Sequence, residues 1–482
     1  MIIRLDMDKN HFQYVDKLFL EVENTELLRI GGDDILTGLF CDSTGCPVIP
    51  GTSIAGSVRS YFIDNKELRK KYGYLFGGRL EEQNEFFYDS KVYFYDSPMA
   101  GYTEKNLNEY LEKRIENRHD AIRGGAKDKA LHEMIYLKKG LKFHIQIDCV
   151  SYDEREHNTV KELFQEILNG ICSGDIRFGG RKNSGCGRVR TVKNSTLSYD
   201  LSKKEDFIDY ALGVEREEKK KSCAIVFNYS LSNTIKMVLE ADIKDALLIK
   251  TETQKEQLQE DSQDELLEIP DPVKMHEDSV KERNIACSMK SGDNFIIPGT
   301  TIKGILRGYS DKIVNTLGYS NAIITEMFGS SPDEKEQHSA GRIQTNDCVI
   351  EVDKDAQEYG LVYHRIKIDR FTGGAMDGAL VSEKPVTKGK VKMEITFRKL
   401  EEEEENQIIF ALLYLCLRDI GLGKVPFGSN AGIGFGRLRG KNLYVEKDGK
   451  KGNIQFDSLR ADEWLKTELV EGFQKLKEER EK

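Results

Sequence analysis

The sequence predicts an α+β protein made of two tandem ferredoxin-like domains. Three observations lead there: a set of motifs that occurs twice at a constant spacing, strands that alternate apolar and polar residues, and an amphipathic helix after the first and third strand of each copy. In each copy the order reads strand, helix, strand, strand, helix, strand, which is what a ferredoxin-like domain requires. That fold also underlies the four-stranded RNA-recognition domain, although a fold alone does not fix a function.

The repeat is the strongest of the three, because periodic self-similarity decides how the rest of a chain is read. IPGTSIAGSVR at 49–59 returns as IPGTTIKGILR at 297–307, 248 residues on. LFGG at 75–78 is answered by MFGS at 327–330, an offset of 251. RHDAIRGGAKDKAL at 118–131 matches KIDRFTGGAMDGAL at 367–380 with seven identities and an offset of 249. RFGGRKNSGCGRV at 177–189 matches PFGSNAGIGFGRL at 426–438, again at 249. Glycine-rich turns resemble each other anywhere, but they do not keep order and spacing over four motifs. The reading is a first domain over 1–220 and a second over 221–482.

Each copy opens on a strand, KLFLEVEN at 17–24 and IKMVLEAD at 235–242. A Pro-Gly turn follows, after which a Thr or Ser can cap a helix whose Ile54, Val58 and Phe62, or Ile302 and Leu306, share one face. Further strands are expected at LKFHIQIDCV, 141–150, and VKMEITF, 391–397. The second helix of each copy carries Val160, Leu163, Phe164, Ile167 and Leu168, or the apolar run 408–417, and is expected to end at Gly170 or Gly421. Ile30 to Pro50 spans 20 residues but Ile249 to Pro298 spans 49, so the second copy holds an insertion at about 251–290. With eleven acids against three lysines over 251–282, it reads as a mobile surface loop.

Bulk composition narrows the function classes. At 39% hydrophobic and 32% charged the chain is an ordinary folded protein. No run of eighteen apolar residues occurs and the N-terminus is charged, so a cytoplasmic location without membrane contact is expected. Nine scattered cysteines make a poor disulfide framework. Cys41 and Cys46 lack a second Cys or His pair for a structural zinc. Gly51 to Gly56 and Gly299 to Gly304 lack the Lys-Ser/Thr of a nucleotide P-loop, and no G-x-S-x-G supports a serine nucleophile. A net charge of −10 excludes indiscriminate coating of nucleic acid, so local basic patches must decide.

Such patches sit on the repeated motifs. The glycine loop of copy one carries Arg177, Arg181, Lys182, Arg188 and Arg190, and its glycines let a backbone approach phosphate closely. Copy two keeps Arg437 and Arg439. Arg59, Lys303 and Arg307 lie on the helices after the Pro-Gly turns, whose N-termini attract phosphate. Arg118, His119 and Arg123, then His364, Arg365, Lys367 and Arg370, flank the GGA segments. Gripping phosphate by shape and charge, without base readout, suits a protein that must accept any RNA sequence.

The motifs IPGT(S/T)I-x-G-x-x-R, GGA-x-D-x-AL and F-G-(G/S)-x-x-x-x-G-x-G-R, each present twice over nearly the whole chain, resemble the RAMP superfamily. Within it they look like the backbone subunits of type III CRISPR effector complexes, closest to the fused double-domain subunits of type III-D and III-E systems. The resemblance implies two ferredoxin-like, RRM-like RAMP domains, each with a thumb hairpin insertion that wedges between guide and target. Phe371 and Ile122 are the wedge candidates, since an apolar side chain can unstack a base step. It implies guide RNA, single-stranded target RNA and other effector subunits as partners. It also implies target cleavage by an acidic residue on the loop before the Pro-Gly turn, with a divalent metal, Mg or Mn, as cofactor. Asp34 or Asp33 fills that place in copy one, Asp34 being the metal candidate, and the choice stays open because the spacing departs by about one residue from the family's. Asp42 reads as a turn residue, and copy two offers Asp271 and Asp278. The alternatives are a guide-precursor-processing endoribonuclease using His11, His119 or His364, and a scaffold without catalysis.

Overall fold

The computed structural model describes residues 12–31, 38–78, 89–117, 132–224, 233–256, 283–330, 340–352, 361–376, 379–399, 403–458 and 460–478. In copy one, strand β1 (Tyr14–Asn24) lies between β3 (Lys142–Ser151) and β4 (Val189–Asp200), all antiparallel, and β2 (Val92–Phe94) completes the order β4-β1-β3-β2. In copy two, β5 (Thr234–Ile243) lies between β7 (Lys390–Arg398) and β8 (Leu438–Lys447), with β6 (Ile343–Thr345) on the far side of β7. Both are the ferredoxin-like order with the first strand central. Even an irregularity repeats: the central strand skips Val192 in one copy and Lys441, 249 residues later, in the other. A bulge kept at one offset marks a duplicated backbone.

Helices α1 (Gly51–Asp64) and α2 (Glu154–Ser173) close the core of copy one; α3 (Gly299–Leu317) and α4 (Glu403–Gly421) close that of copy two. Ile54, Val58 and Phe62 are fully buried on the four-residue spacing that the sequence shows, in one core with Leu18, Ile145 and Phe164; Ile302 and Leu306 are buried likewise in a core with Met237 and Leu413. The copies thus have separate cores, and a further helix, Glu463–Glu478, packs on α4.

Three local expectations need correction. Both α1 and α3 start at the glycine itself after an uncapped proline. The first N–H goes not to a Thr or Ser but to a distant carboxylate: Gly51 donates to Asp96 (2.7 Å) and Gly299 to Asp347 (2.9 Å). Second, α2 runs past Gly170 to Ser173 and is capped by Gly174 at φ +82°. Gly170 is inside the helix because a Cβ there would sit 2.7 Å from Ile176. Third, the ends of the acidic insertion are ordered strands. Lys250–Glu256 and Arg283–Ser288 pair antiparallel, and the latter runs parallel to Val381–Lys384. Residues 257–282 lie outside the described ones.

Candidate nucleic-acid interface

Glycine in the two glycine loops is required by the chain's own backbone. Gly179 and Gly428 have φ of +76° and +71°, and a Cβ on either would lie 2.3 Å from a carbonyl oxygen, of Arg29 or Leu248. Gly187 and Gly436, at φ +81° and +80°, face the Phe178 and Phe427 oxygens at 2.0 and 1.9 Å. The left-handed non-glycine residue also repeats, Arg181 in one loop and Asn430 in the other. Since L side chains avoid this region, the motif is a folding requirement before it is a binding one.

The arginines of loop one correct the simplest reading, in which all five cations face phosphate. Arg177 is buried, and donates to the Gly174 and Lys182 carbonyls and to Asn346 of the second copy (3.0 Å). Burial, with Arg188 beside it, pulls its guanidinium down to about 10, so it stays charged. Arg181 pairs with Glu116, Arg188 with Glu394 of the second copy (3.0 Å) and Arg190 with Glu23 (2.9 Å). Arg190 is exposed, but a buried or half-buried guanidinium such as those of Arg177, Arg181 and Arg188 takes the nearest acceptor of fixed geometry, and here those acceptors are in the chain. Loop one is thus the joint between the copies. Arg114 completes it with a two-pronged contact to Asp347 (2.6 and 3.2 Å), and Arg398 pairs back to Asp64 (2.8 Å).

Along this joint runs a cavity of about 1020 Å³. Its walls come from α1 (Ser57, Tyr61, Asp64), loop one (Arg177, Arg181, Lys182) and the second copy (Lys303, Arg342, Arg398, Lys399). Nine cationic side chains line it against three carboxylates, and one of the three, Asp175, has its carboxyl pushed up by burial. Lys182 and Lys303 decide its character. Neither has a carboxylate partner among the described residues, although the Lys182 Nζ donates to Ser57 Oγ (2.6 Å). Burial, then the neighbouring Arg398 or Arg307, pulls both ammonium groups down to about 8. Two half-buried cations in a net-positive cleft make it a place where an anion would be favoured.

A family model of the RAMP superfamily matches residues 25–190 and again 280–439, once on each copy. The chain belongs to the RAMP superfamily. Among curated proteins it is similar to the CRISPR system Cms endoribonuclease Csm3 of Methanocaldococcus jannaschii, 27% identical over 180 residues, which is 34% of this chain and 70% of that protein. One copy's length accounts for such a match.

In both RAMP copies the glycine loop is tied to the base of a hairpin, and in both the loop side chain donates to a hairpin carboxylate. In copy one Arg181 meets Glu116 of the hairpin Leu111–Glu116 and His132–Leu137, and Tyr136 donates to the same carboxylate (2.6 Å). In copy two the carboxylate is Glu383, buried between Arg365, Lys250 (2.9 Å) and Asn430 (2.9 Å) of loop two. Hairpin two, Tyr363–Arg365 and Val381–Lys384, carries a turn held by the Asp369 carboxylate, which accepts from the N–H groups of Phe371 and Thr372 (both 2.8 Å). At that turn Phe371 is 98% exposed beside the exposed Arg370, with Lys367 also exposed. His364 shares a hydrogen bond with Ser382 (2.9 Å). Arg118, His119, Ile122 and Arg123 lie outside the described residues, as does His11.

Of the basic residues read from sequence, the cavity gathers Arg177, Arg181, Lys182 and Lys303; Arg59, Arg188, Arg307, Arg437, Lys367 and Arg370 do not line it, nor does the wedge candidate Phe371. Arg59 and Arg437 are exposed. The acids Asp33, Asp34, Asp271 and Asp278 lie outside the described residues, while Asp42 closes a turn by accepting from Thr44 (2.8 Å) and Cys46 (3.1 Å). Among the described residues no group of three or more His, Cys, Asp or Glu side chains is placed to hold a metal ion, so no metal-dependent step is derived from them. No helix of the described residues is long and apolar enough to cross a membrane. Sequence reading missed Asp96, Asp347 and Arg114. The signal for the two acids was their spacing, as Asp96 in YDSP and Asp347 in NDCV stand 251 residues apart, the offset of LFGG and MFGS.

Proposed function

We propose that this RAMP chain is a double-domain, guide-RNA-binding backbone subunit of a type III CRISPR ribonucleoprotein, working in the cytoplasm with other effector subunits and a single-stranded target RNA. The observation that carries the reading is the joint cavity, whose Lys182 and Lys303 have no carboxylate partner among the described residues. An RNA phosphate there meets a cation from each copy, without any base being read. The exposed Phe371 supports a wedge role for hairpin two, and the name of the similar endoribonuclease supports a nucleic-acid substrate. Target cleavage is assigned to Asp34 or Asp33 in copy one and to Asp271 or Asp278 in copy two, with Mg or Mn bound at Asp34 as the cofactor.

The test is to purify the native assembly, extract its nucleic acid and sequence it; RNA of defined length is expected, and its absence removes the reading. Charge-assisted contacts contribute about 1.5 to 3 kcal/mol each, so Lys182→Ala with Lys303→Ala should lower RNA affinity by at least about 100-fold. The pH dependence has a definite sign. Below about 8 both ammonium groups are charged and attraction is complete, and as pH rises through about 8 it is lost, well before an ordinary lysine near 10.4 would titrate. Stability of the RNA-free chain moves the opposite way. The unfolded chain binds more protons between about 8 and 10.4, so folding stability rises across that window. For catalysis, Asp34→Ala or Asp33→Ala should abolish target cutting with RNA binding intact. Cutting that survives EDTA and requires a histidine instead would identify a precursor-processing enzyme.

A further inference from the structure

The chain contains one worked example of how two RAMP domains join, and it leaves one face of the same kind uncovered. In the internal joint, loop one and Arg114 cover residues 344–347 at the edge of copy two; Gln344 and Asn346 are only 7% and 8% exposed, and Asp347 is the acceptor of Arg114. The corresponding edge of copy one lies 251 residues earlier, at 93–96. It is built alike: β2 pairs with β3 as β6 pairs with β7, and Asp96 takes the first N–H of α1 as Asp347 takes that of α3. There, however, nothing among the described residues covers it. Tyr93 is 49% and Tyr95 45% exposed, and Asp96 is exposed with them.

The occupant follows from the contacts that the covered face uses. Asp347 takes an arginine, Asn346 takes Arg177 and Glu394 takes Arg188. If a second copy of this chain docked on the bare face, its loop two would bring the residues 249 positions after those arginines. They are Tyr363, Pro426 and Arg437, so two of the three cations are gone, and the acceptor matching Glu394 is the neutral Gln146. Asp96 would then be buried with only Gly51 as partner. Burying a carboxylate without a counter-ion is strongly unfavourable.

We propose that the edge of copy one formed by Tyr93, Tyr95 and Asp96 docks a different RAMP-type subunit, one that presents a glycine loop and an arginine to Asp96. The guanidinium pairs with the carboxylate as Arg114 does with Asp347, and the two tyrosines supply flat apolar surface beside it, a residue type favoured at interface centres. The asymmetry of the two ends makes the chain a junction with a defined neighbour and not the unit of a homopolymer. This inference rests on the internal repeat and on the proposed place in a multi-subunit assembly, and stands apart from RNA binding.

The native assembly tests it directly. With p-benzoylphenylalanine replacing Tyr93 in the full chain, irradiation should join this position to a glycine-loop peptide of another RAMP subunit, identified by mass spectrometry. A cross-link to residues 426–438 of a second copy, to RNA, to a protein without the loop, or no cross-link at all would overturn the proposal. Asp96→Asn keeps an acceptor for the Gly51 N–H but removes the charge, and should lower cross-link yield at least about tenfold. An unchanged yield also counts against the arginine. Because RNA extracted from the same assembly reports the guide-binding reading separately, failure of one does not imply failure of the other.

Discussion

Gly436→Ala should cost the second copy at least about 3 kcal/mol of stability, seen as a fall of about 6 to 12 °C in its unfolding transition. Gly436 has φ +80°, a region that costs an L residue about 1 to 2 kcal/mol on its own, and its new Cβ would lie 1.9 Å from the Phe427 oxygen. Relief requires moving one of two backbone strands that are bonded to each other, since the Phe427 N–H donates to the Gly436 oxygen (2.9 Å) and the Gly436 N–H to Ala246 (2.6 Å). It also disturbs Phe427, which is fully buried in the core of copy two. Gly187→Ala should do the same to copy one, where the opposing oxygen is that of Phe178. Gly432→Ala is the control, because nothing lies within 4 Å of its Cβ position. If all three substitutions were equally mild, the glycine pattern would have to be explained by ligand approach and not by the turn.

How far the sequence is legible follows the same division between local and distant causes. Alternation, helical spacing and the repeat offset are local properties, and they located both central strands, both pairs of core helices and the duplication. The fate of an arginine is not local. Arg177 and Asn346 are 169 positions apart, and nothing in RFGGRKNSGCGRV distinguishes a cation that will meet phosphate from one that will meet a carboxylate or an amide. Lys182 sits between Arg181 and Arg188, which both meet carboxylates, yet it has no carboxylate partner among the described residues. Helix ends fail for a related reason. Gly170 looks like a cap by position, but the room it gives Ile176 and Tyr61 is a tertiary demand. Likewise the first N–H of α1 finds Asp96 45 positions away, where a neighbouring Thr or Ser was the expected cap. The acids before the Pro-Gly turns remain where the sequence put them, as a proposal about Asp33, Asp34, Asp271 and Asp278.

Arg114→Ala is expected to uncouple the two copies. Its guanidinium is buried between Asp347 of the second copy and Glu112 of the first (2.8 Å), and Asp347 in turn holds the first N–H of α3. Removing the cation leaves two carboxylates facing each other away from water. Breaking a buried pair from one side typically costs about 3 to 5 kcal/mol, against about 0 to 1 for an exposed pair. Because each copy has its own core, that loss falls on the joint before it reaches either fold. Calorimetry should therefore resolve two transitions, with the lower one moved down. The second consequence is functional: Lys182 and Lys303 face one cavity only while the joint holds, so RNA affinity should fall without any change in a residue that lines it. Asp347→Asn provides the discriminating comparison, as it keeps an acceptor for the Gly299 N–H and leaves Arg114 paired with Glu112; it should unfold less readily than Arg114→Ala yet weaken RNA binding in the same direction. A variant Arg114→Ala that melted as one unit and bound RNA fully would show that the seam is held by the loop glycines alone, and the shared cavity would lose its claim to be the phosphate grip.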